Sequence, residues 1–368
     1  MHDVIINGET IHEMSKLEAK SIDLIFADPP YFMQTHGVLH RVEGTEFQGC
    51  NDDWDKFSSL NDYEGFSRKW LTECRRLLKP SGSIWVIGSM QCIYTLGHVM
   101  QELGFWFIND IIWHKTNPTP NFTGSRLNNS HETLLWAVPD KSSRFTFNYK
   151  TAKHLNDGKQ LGSVWRFPVC SGSERLRDSQ GRKLHTTQKP LALLERIIAI
   201  SSKPGDLVLD PFGGTMTTGA AAKKLGRKYI MIERDKDYCA YGQQRLDSVS
   251  FEDSEISRAE FDVKPPRVSM IEMINAGYFT EGESFTLKDG KDPAYLQADG
   301  KLIYHDEVFD MHTCAARAKN LKAKRVNGFD YWHVMRGGEL VSIAAVRENY
   351  RAENKSPCSD LTGGNVNC

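Results

Sequence analysis

The chain has 368 residues, 40% hydrophobic and 25% charged, with a formal net charge of −1. That composition suits a globular protein with one large core and a smaller second domain, and it excludes a uniformly basic surface, so nucleic-acid binding would have to come from local patches. Eight scattered cysteines without a C-x-x-C pair point to reduced thiols in a cytoplasmic protein with no metal site, and no stretch reads as a leader or reaches membrane-spanning length.

The first predicted strand is Val4-Ile5-Ile6, closed by Asn7-Gly8, and a helix from Ile11 to Leu17 leads into the run Ile22-Asp23-Leu24-Ile25-Phe26-Ala27. That run is short, rich in branched and aromatic residues, and stopped by two prolines, which describes a buried strand of a parallel sheet. Such sheets place their chemistry just beyond the carboxyl ends of their strands. Asp28-Pro29-Pro30-Tyr31 stands at that position. Consecutive prolines hold the backbone extended and leave its carbonyls unused by helix bonds. The Asp28 carboxylate and the Pro29 carbonyl form a close pair of acceptors suited to an NH2 group, and Tyr31 offers a face for a planar ring. A planar ring with an exocyclic amine is adenine or cytosine. Alone, the tetrapeptide also fits a strand ending in an Asp-Pro turn.

An irregular, glycine-bearing segment follows over 32–55 and includes Arg41 and Trp54. It reads as a lid or a DNA-contacting loop, or as a solvated insertion. An amphipathic helix is predicted from Tyr63 to Leu78, a strand over Ile84–Gly88, a helix over Gln91–Leu103 and a strand over Phe105–Trp113. This alternation predicts a mostly parallel sheet with helices on both faces. A proline-stiffened loop then carries Lys115 and Asn117, followed by Arg126, Asn129 and His131. These side chains suit base edges and phosphates, and equally suit an ordinary solvated loop. After the strand Thr133–Val138, the stretch 141–185 has little periodicity and an excess of Lys and Arg. It reads as a second insertion facing nucleic acid or as a polar loop.

His185-Thr186-Thr187-Gln188-Lys189-Pro190 precedes a predicted helix over Leu191–Ser201. Helix N-termini attract carboxylates, so Thr187, Gln188 and Lys189 are candidates to hold one. Next come the strand Asp206–Asp210, the turn Pro211-Phe212-Gly213-Gly214-Thr215, an alanine-rich helix from Thr217 to Lys224, and the strand Tyr229–Glu233. Strand, glycine turn, helix, strand and acid make a nucleotide-binding unit in which Asp210, Phe212, Gly213, Gly214, Thr215, Thr217 and Glu233 face the ligand. The dinucleotide fingerprint and the P-loop are both absent, which favours an adenosine without a pyrophosphate, as in S-adenosylmethionine (SAM).

In this order, DPPY, HTTQKP, the DPF-glycine turn and the strand ending in Glu233 resemble the beta-class amino-methyltransferases of DNA, over about residues 3–247. GSIWVIGS, IIWHKTNPTPNF and HETLLWA are similar to the adenine methyltransferases acting at GANTC, a subgroup that includes a cell-cycle-regulated enzyme and solitary or restriction-linked ones. The resemblance implies a Rossmann-like fold with a seven-stranded, mostly parallel sheet in circularly permuted order. It implies SAM as cofactor, no metal, double-stranded DNA as substrate, a homodimer, and in some members a cognate restriction endonuclease. Asp28, Pro29, Pro30 and Tyr31 would be catalytic, with Asp28 also close to the cofactor. The sequence departs from the family at Met216, which occupies the second glycine position of the turn. The methionine is expected to narrow the pocket, to weaken cofactor binding, or to be absorbed by Gly213 and Gly214. Cytosine or RNA amines remain alternative substrates, and a silent DNA-binding protein an alternative class.

A polar linker is expected from Arg245 to Lys264, then a small α+β domain over 265–350 that contacts DNA or assists a dimer. This domain also resembles that of the GANTC subgroup, best at Gly328-Phe329-Asp330-Tyr331-Trp332. Arg317, Lys319, Lys322, Lys324 and Arg325 form a basic cluster, and 351–368 reads as a disordered tail.

Overall fold

The fold is described from a computed structural model over residues 1–32, 57–121, 124–178, 180–185, 187–263 and 265–354, with the backbone of a hairpin at 38–40 and 46–48. Arg41 and Trp54 lie outside the described residues. The chain divides into two compact units, Met1–Val263 and Lys264–Cys368. Among the described residues, no helix is long and apolar enough to cross a membrane.

The first unit is built on one sheet of eight strands: β1 (Val4–Asn7), β2 (Ile22–Ala27), β3 (Leu78–Gly88), β4 (Trp106–Lys115), β5 (His131–Val138), β6 (Val164–Phe167), β7 (Leu207–Asp210) and β8 (Lys228–Glu233). Their spatial order is β1-β8-β7-β2-β3-β5-β4-β6. All neighbours are parallel except those of β5, which runs against both β3 and β4. The eighth strand is β6, which lies within the basic stretch read as a loop. It is four residues long and pairs with β4 alone, so its pattern is too brief to show as a period.

The central strands are buried on both faces. Along β3, Trp85 and Ile87 enter one apolar cluster while Ile84 and Val86 enter the other. Helices α1 (Thr10–Ser15), α2 (Leu60–Leu77) and α3 (Ile93–Glu102) supply the second cluster. Helix α4 (Tyr149–His154) and helices α5 (Leu191–Ser201), α6 (Thr217–Lys224) and α7 (Lys236–Ser248) supply the first. Helix α2 shows how the pattern becomes packing. Ser59 caps it by accepting from Asp62 N, and Tyr63, Trp70, Leu71, Cys74 and Leu77 put one stripe fully out of solvent.

The expected linker after Arg245 does not hang free. Arg227, itself buried, donates to the Ser257 carbonyl. Phe261 stacks on His154, and Asp262 accepts from the backbone of Lys150 and Thr151 at the start of α4. Polar sequence hid a segment anchored by hydrogen bonds together with a few apolar contacts, Ile256 against the first cluster among them.

The second unit has a four-stranded antiparallel sheet with strands Ser284–Phe285, Ala294–Leu296, Leu302–Tyr304 and Glu307–Phe309, and a hairpin of His333–Arg336 with Glu339–Ser342. Trp332, Phe285 and Met273 sit in its core. Helix Ile343–Glu353 carries its last turn past the expected start of the tail, while 355–368 are outside the described residues.

Candidate active site

Strand register brings the two halves of the site together. Strands β2 and β7 are neighbours, with Ile25 opposite Leu209, so Asp28 and Asp210 leave the sheet side by side. Met231 of β8 stands opposite Asp210, which places Glu233 just beyond the same edge. One cavity of about 580 Å3 opens there. Asp28, Pro29, Pro30, Tyr31, Thr187, Gln188, Lys189, Asp210, Phe212, Gly213, Gly214, Thr215, Thr217 and Glu233 all line it.

At the tetrapeptide end the polar groups are charged and buried. Lys189 Nζ lies 2.7 Å from Asp28 Oδ2, 3.9 Å from Glu132 Oε2 and 5.0 Å above the Tyr31 ring. Tyr31 donates its phenol to Glu132 Oε2 at 2.9 Å, and Lys115 Nζ holds Glu132 Oε1 at 2.7 Å. The buried Tyr63 donates to the Pro30 carbonyl at 2.8 Å, which fixes the double proline. Asp28 Oδ1 is buried and has no partner. A buried carboxylate oxygen without a donor is unfavourable, and such groups mark places where a ligand supplies the missing bond.

Burial pushes the Asp28 carboxyl above its ordinary value, against the pull of Lys189. Burial also works against the Lys189 ammonium, but Asp28 and Glu132 outweigh it and hold the amine above its usual range. Burial would raise Glu132 as well, yet Lys189 and Lys115 bring it below the ordinary carboxylate value.

At the glycine-turn end the contacts are mostly to backbone. Glu233 accepts from Gly214 N and Asp235 N, both at 2.8 Å. Asp210 accepts from Phe212 N and from the Thr218 hydroxyl, and burial pushes its carboxyl up to about 7. Thr10 donates to the Pro211 carbonyl at 2.7 Å. Each Glu233 oxygen retains a lone pair for a further donor.

Met216 does not enter the cavity. It is fully buried with φ +59°, in the left-handed region that a glycine would favour. Its side chain turns to the back of the turn, where Gly242 of α7 makes room; a Cβ there would fall 2.3 Å from Met216 Cγ. Gly213 and Gly242, rather than Gly213 and Gly214, give the methionine its space.

Three expected roles meet a different geometry. Lys115 is tied to Glu132, with most of its side chain buried. Gln188 bridges Leu176 N and the Glu174 carbonyl. Glu174 also accepts from Leu191 N, so that N–H of the α5 terminus is already used. Asn117 accepts from Val169 N through its side chain, while Arg126, Asn129 and His131 are exposed. Sequence reading missed Glu132, whose only signal was an acid beginning an otherwise apolar strand.

With this geometry in place, comparison with known proteins defines the class. The family model described as DNA methylase (N6_N4_Mtase) matches residues 22–244. The chain belongs to that family and is a DNA methyltransferase. Among curated relatives, the Type II methyltransferase M.HinfI of Haemophilus influenzae is 46% identical over 348 residues, 95% of this chain and 96% of that protein. Type II methyltransferase M2.DpnII of Streptococcus pneumoniae is 42% identical over 246 residues, 67% of this chain and 90% of that protein. The solved PvuII cytosine-N4-specific DNA methyltransferase shares the fold, with a TM-score of 0.53 and 20% identity over 71% of this chain and 91% of that one.

Proposed function

We propose that the protein transfers a methyl group from SAM to N6 of adenine in double-stranded DNA, within the sequence GANTC. The observation that carries this reading is Asp28, which lines the same cavity as the Glu233 turn and keeps one buried carboxylate oxygen, Oδ1, without a hydrogen-bond partner. It is a site-specific DNA adenine methyltransferase. SAM, when bound, supplies an activated methyl group. The chain's own groups do the rest by placement.

Glu233 would accept hydroxyl donors of SAM through its free lone pairs, and the Phe212–Thr215 turn would border the cofactor. Thr187 and Lys189, which line the cavity, would meet the SAM carboxylate, and Gln188 acts as a strut beside them. A base in duplex DNA is out of reach, so the target nucleotide has to swing out, at a stacking cost of a few kcal/mol. Tyr31 then stacks on the ring. Asp28 Oδ1 and the Pro29 carbonyl accept the amino hydrogens, which directs the nitrogen lone pair along the transfer axis. Orientation and fixed charge of this kind supply much of the rate without a covalent enzyme adduct.

Arg126, Asn129 and His131 are the exposed candidates for DNA contact, with Asn117 nearby and Arg41 and Trp54 in the 32–55 insertion. The second unit assists through DNA or dimer contacts. A homodimer is the working form, a cognate restriction endonuclease the companion activity, and the cytoplasm the place of action. The test is single-molecule sequencing of plasmid DNA from cells expressing the chain. We expect N6-methyladenine in GANTC; methylcytosine as the sole modified base overturns the assignment.

A further inference from the structure

Glu132 lies one residue inside β5 and outside the cavity lining, yet it organises the tetrapeptide end. Two acids and two ammonium groups meet there: Asp28 with Lys189, and Glu132 with Lys115. Lys189 is bonded to Asp28 and lies only 3.9 Å from Glu132 Oε2, short of a hydrogen bond. A shift of about 1 Å would make that bond, with the Tyr31 ring lying under the ammonium. As seen, the ammonium sits on the carboxylate that should receive the amino hydrogens.

We propose that Glu132 is a positioning residue and the second seat of Lys189: in the reacting site the ammonium moves from Asp28 to Glu132. The inference rests on the reading that Asp28 accepts from the adenine amine. In the transfer, the bond from the amino nitrogen to the methyl carbon forms. The bond from that carbon to sulfur breaks, and its electron pair stays on sulfur. The nitrogen becomes positive and gives one proton to Asp28. An ammonium 2.7 Å from Asp28 opposes both the positive charge and the proton. Moved to Glu132, it leaves Asp28 a better base, while Lys115 and Tyr31 keep Glu132 satisfied and ionised.

The titratable groups facing Asp28 and Glu132 are Tyr31, Lys115, Lys189 and Asp210, with the thiol of Cys92 acting on Tyr31 and Lys189 and His185 beside Lys189. Two variants shift Asp28 in opposite directions. Glu132→Gln still accepts from Tyr31 but has no charge to receive Lys189. We expect SAM affinity by calorimetry to stay within about threefold of wild type, and single-turnover methylation of a GANTC duplex to slow by roughly 10- to 100-fold. Its acid limb should move to lower pH, because Lys189 stays on Asp28. Lys115→Met leaves Glu132 with Lys189 as its one cation, so the acid limb should move to higher pH.

A Glu132 that acts on Asp28 through its charge alone would also move the Glu132→Gln limb to lower pH, but would leave the rate above that limb at the wild-type value. A Glu132→Gln rate within about twofold of wild type above the acid limb overturns the proposal, wherever that limb falls. If that variant does not fold, Lys115→Met decides alone, and a limb that stays or moves down overturns it. Wild-type protein that methylates no adenine overturns this inference together with the reading beneath it; active wild type with unmoved variants overturns this inference only.

Discussion

The two ends of the cavity are held by different forces. At the tetrapeptide, buried ionised side chains pair with one another: Asp28 with Lys189, Glu132 with Lys115. At the glycine turn, carboxylates accept from backbone N–H groups and a threonine hydroxyl. Breaking a buried ion pair leaves an uncompensated charge, whereas the backbone donors of a turn stay in place when one side chain is cut. The first end is suited to rearranging during a reaction and the second to holding a ligand still.

The largest effects should therefore cross. Asp28→Ala is expected to cut single-turnover methylation by about 10^3-fold or more while SAM affinity changes by less than about tenfold. Glu233→Ala is expected to weaken SAM binding by roughly 10- to 100-fold, the worth of hydrogen bonds to a charged acceptor, while the rate at saturating SAM stays within about threefold. Calorimetry and single-turnover assays on both variants check this; equal losses in both quantities for both variants would erase the contrast.

His185 sits between the two ends and gives a pH handle. Burial, with Lys189 and Arg175, lowers its imidazole to about 4. The unfolded chain takes up a proton near the ordinary 6.5 and the folded chain only near 4. Acidification across that window thus favours unfolding: the contribution is fully present above pH 6.5 and lost as pH falls to 4. It amounts to up to about 3 kcal/mol. Urea unfolding of His185→Gln against wild type through this range should show the slope reduced.

The smallest effect lies behind the turn. Gly242→Ala drives a methyl into Met216 and should cost about 1–3 kcal/mol. Adding Met216→Gly removes the clash, so a double-mutant cycle by urea unfolding should give a coupling of about 1 kcal/mol or more. Simple additivity would mean that the two residues do not share this space.

Much of this was legible in the chain because the signals were local. The strands at Ile22–Ala27 and Lys228–Glu233 are short apolar runs, and the bounds of α5 and α6 follow from Pro190 and from the alanine run. What escaped reading depends on partners far apart in sequence. Glu132 matters through Tyr31, 101 residues away. Lys115 reads as a loop cation until β4 and β5 pair and bring Glu132 to it. Gln188 reads as a ligand-facing amide, and only the fold shows Glu174 and Leu176 taking its donor and acceptor.

The anchored stretch after α7 bears on how the protein can be dissected. Asp262 closes the exposed amino terminus of α4, and Arg227 grips the chain at Ser257. A catalytic fragment trimmed at residue 250 would therefore lose those bonds and leave a buried guanidinium short of an acceptor. A cut after Val263 keeps that strap intact, so an autonomous catalytic fragment is best sought from the longer version.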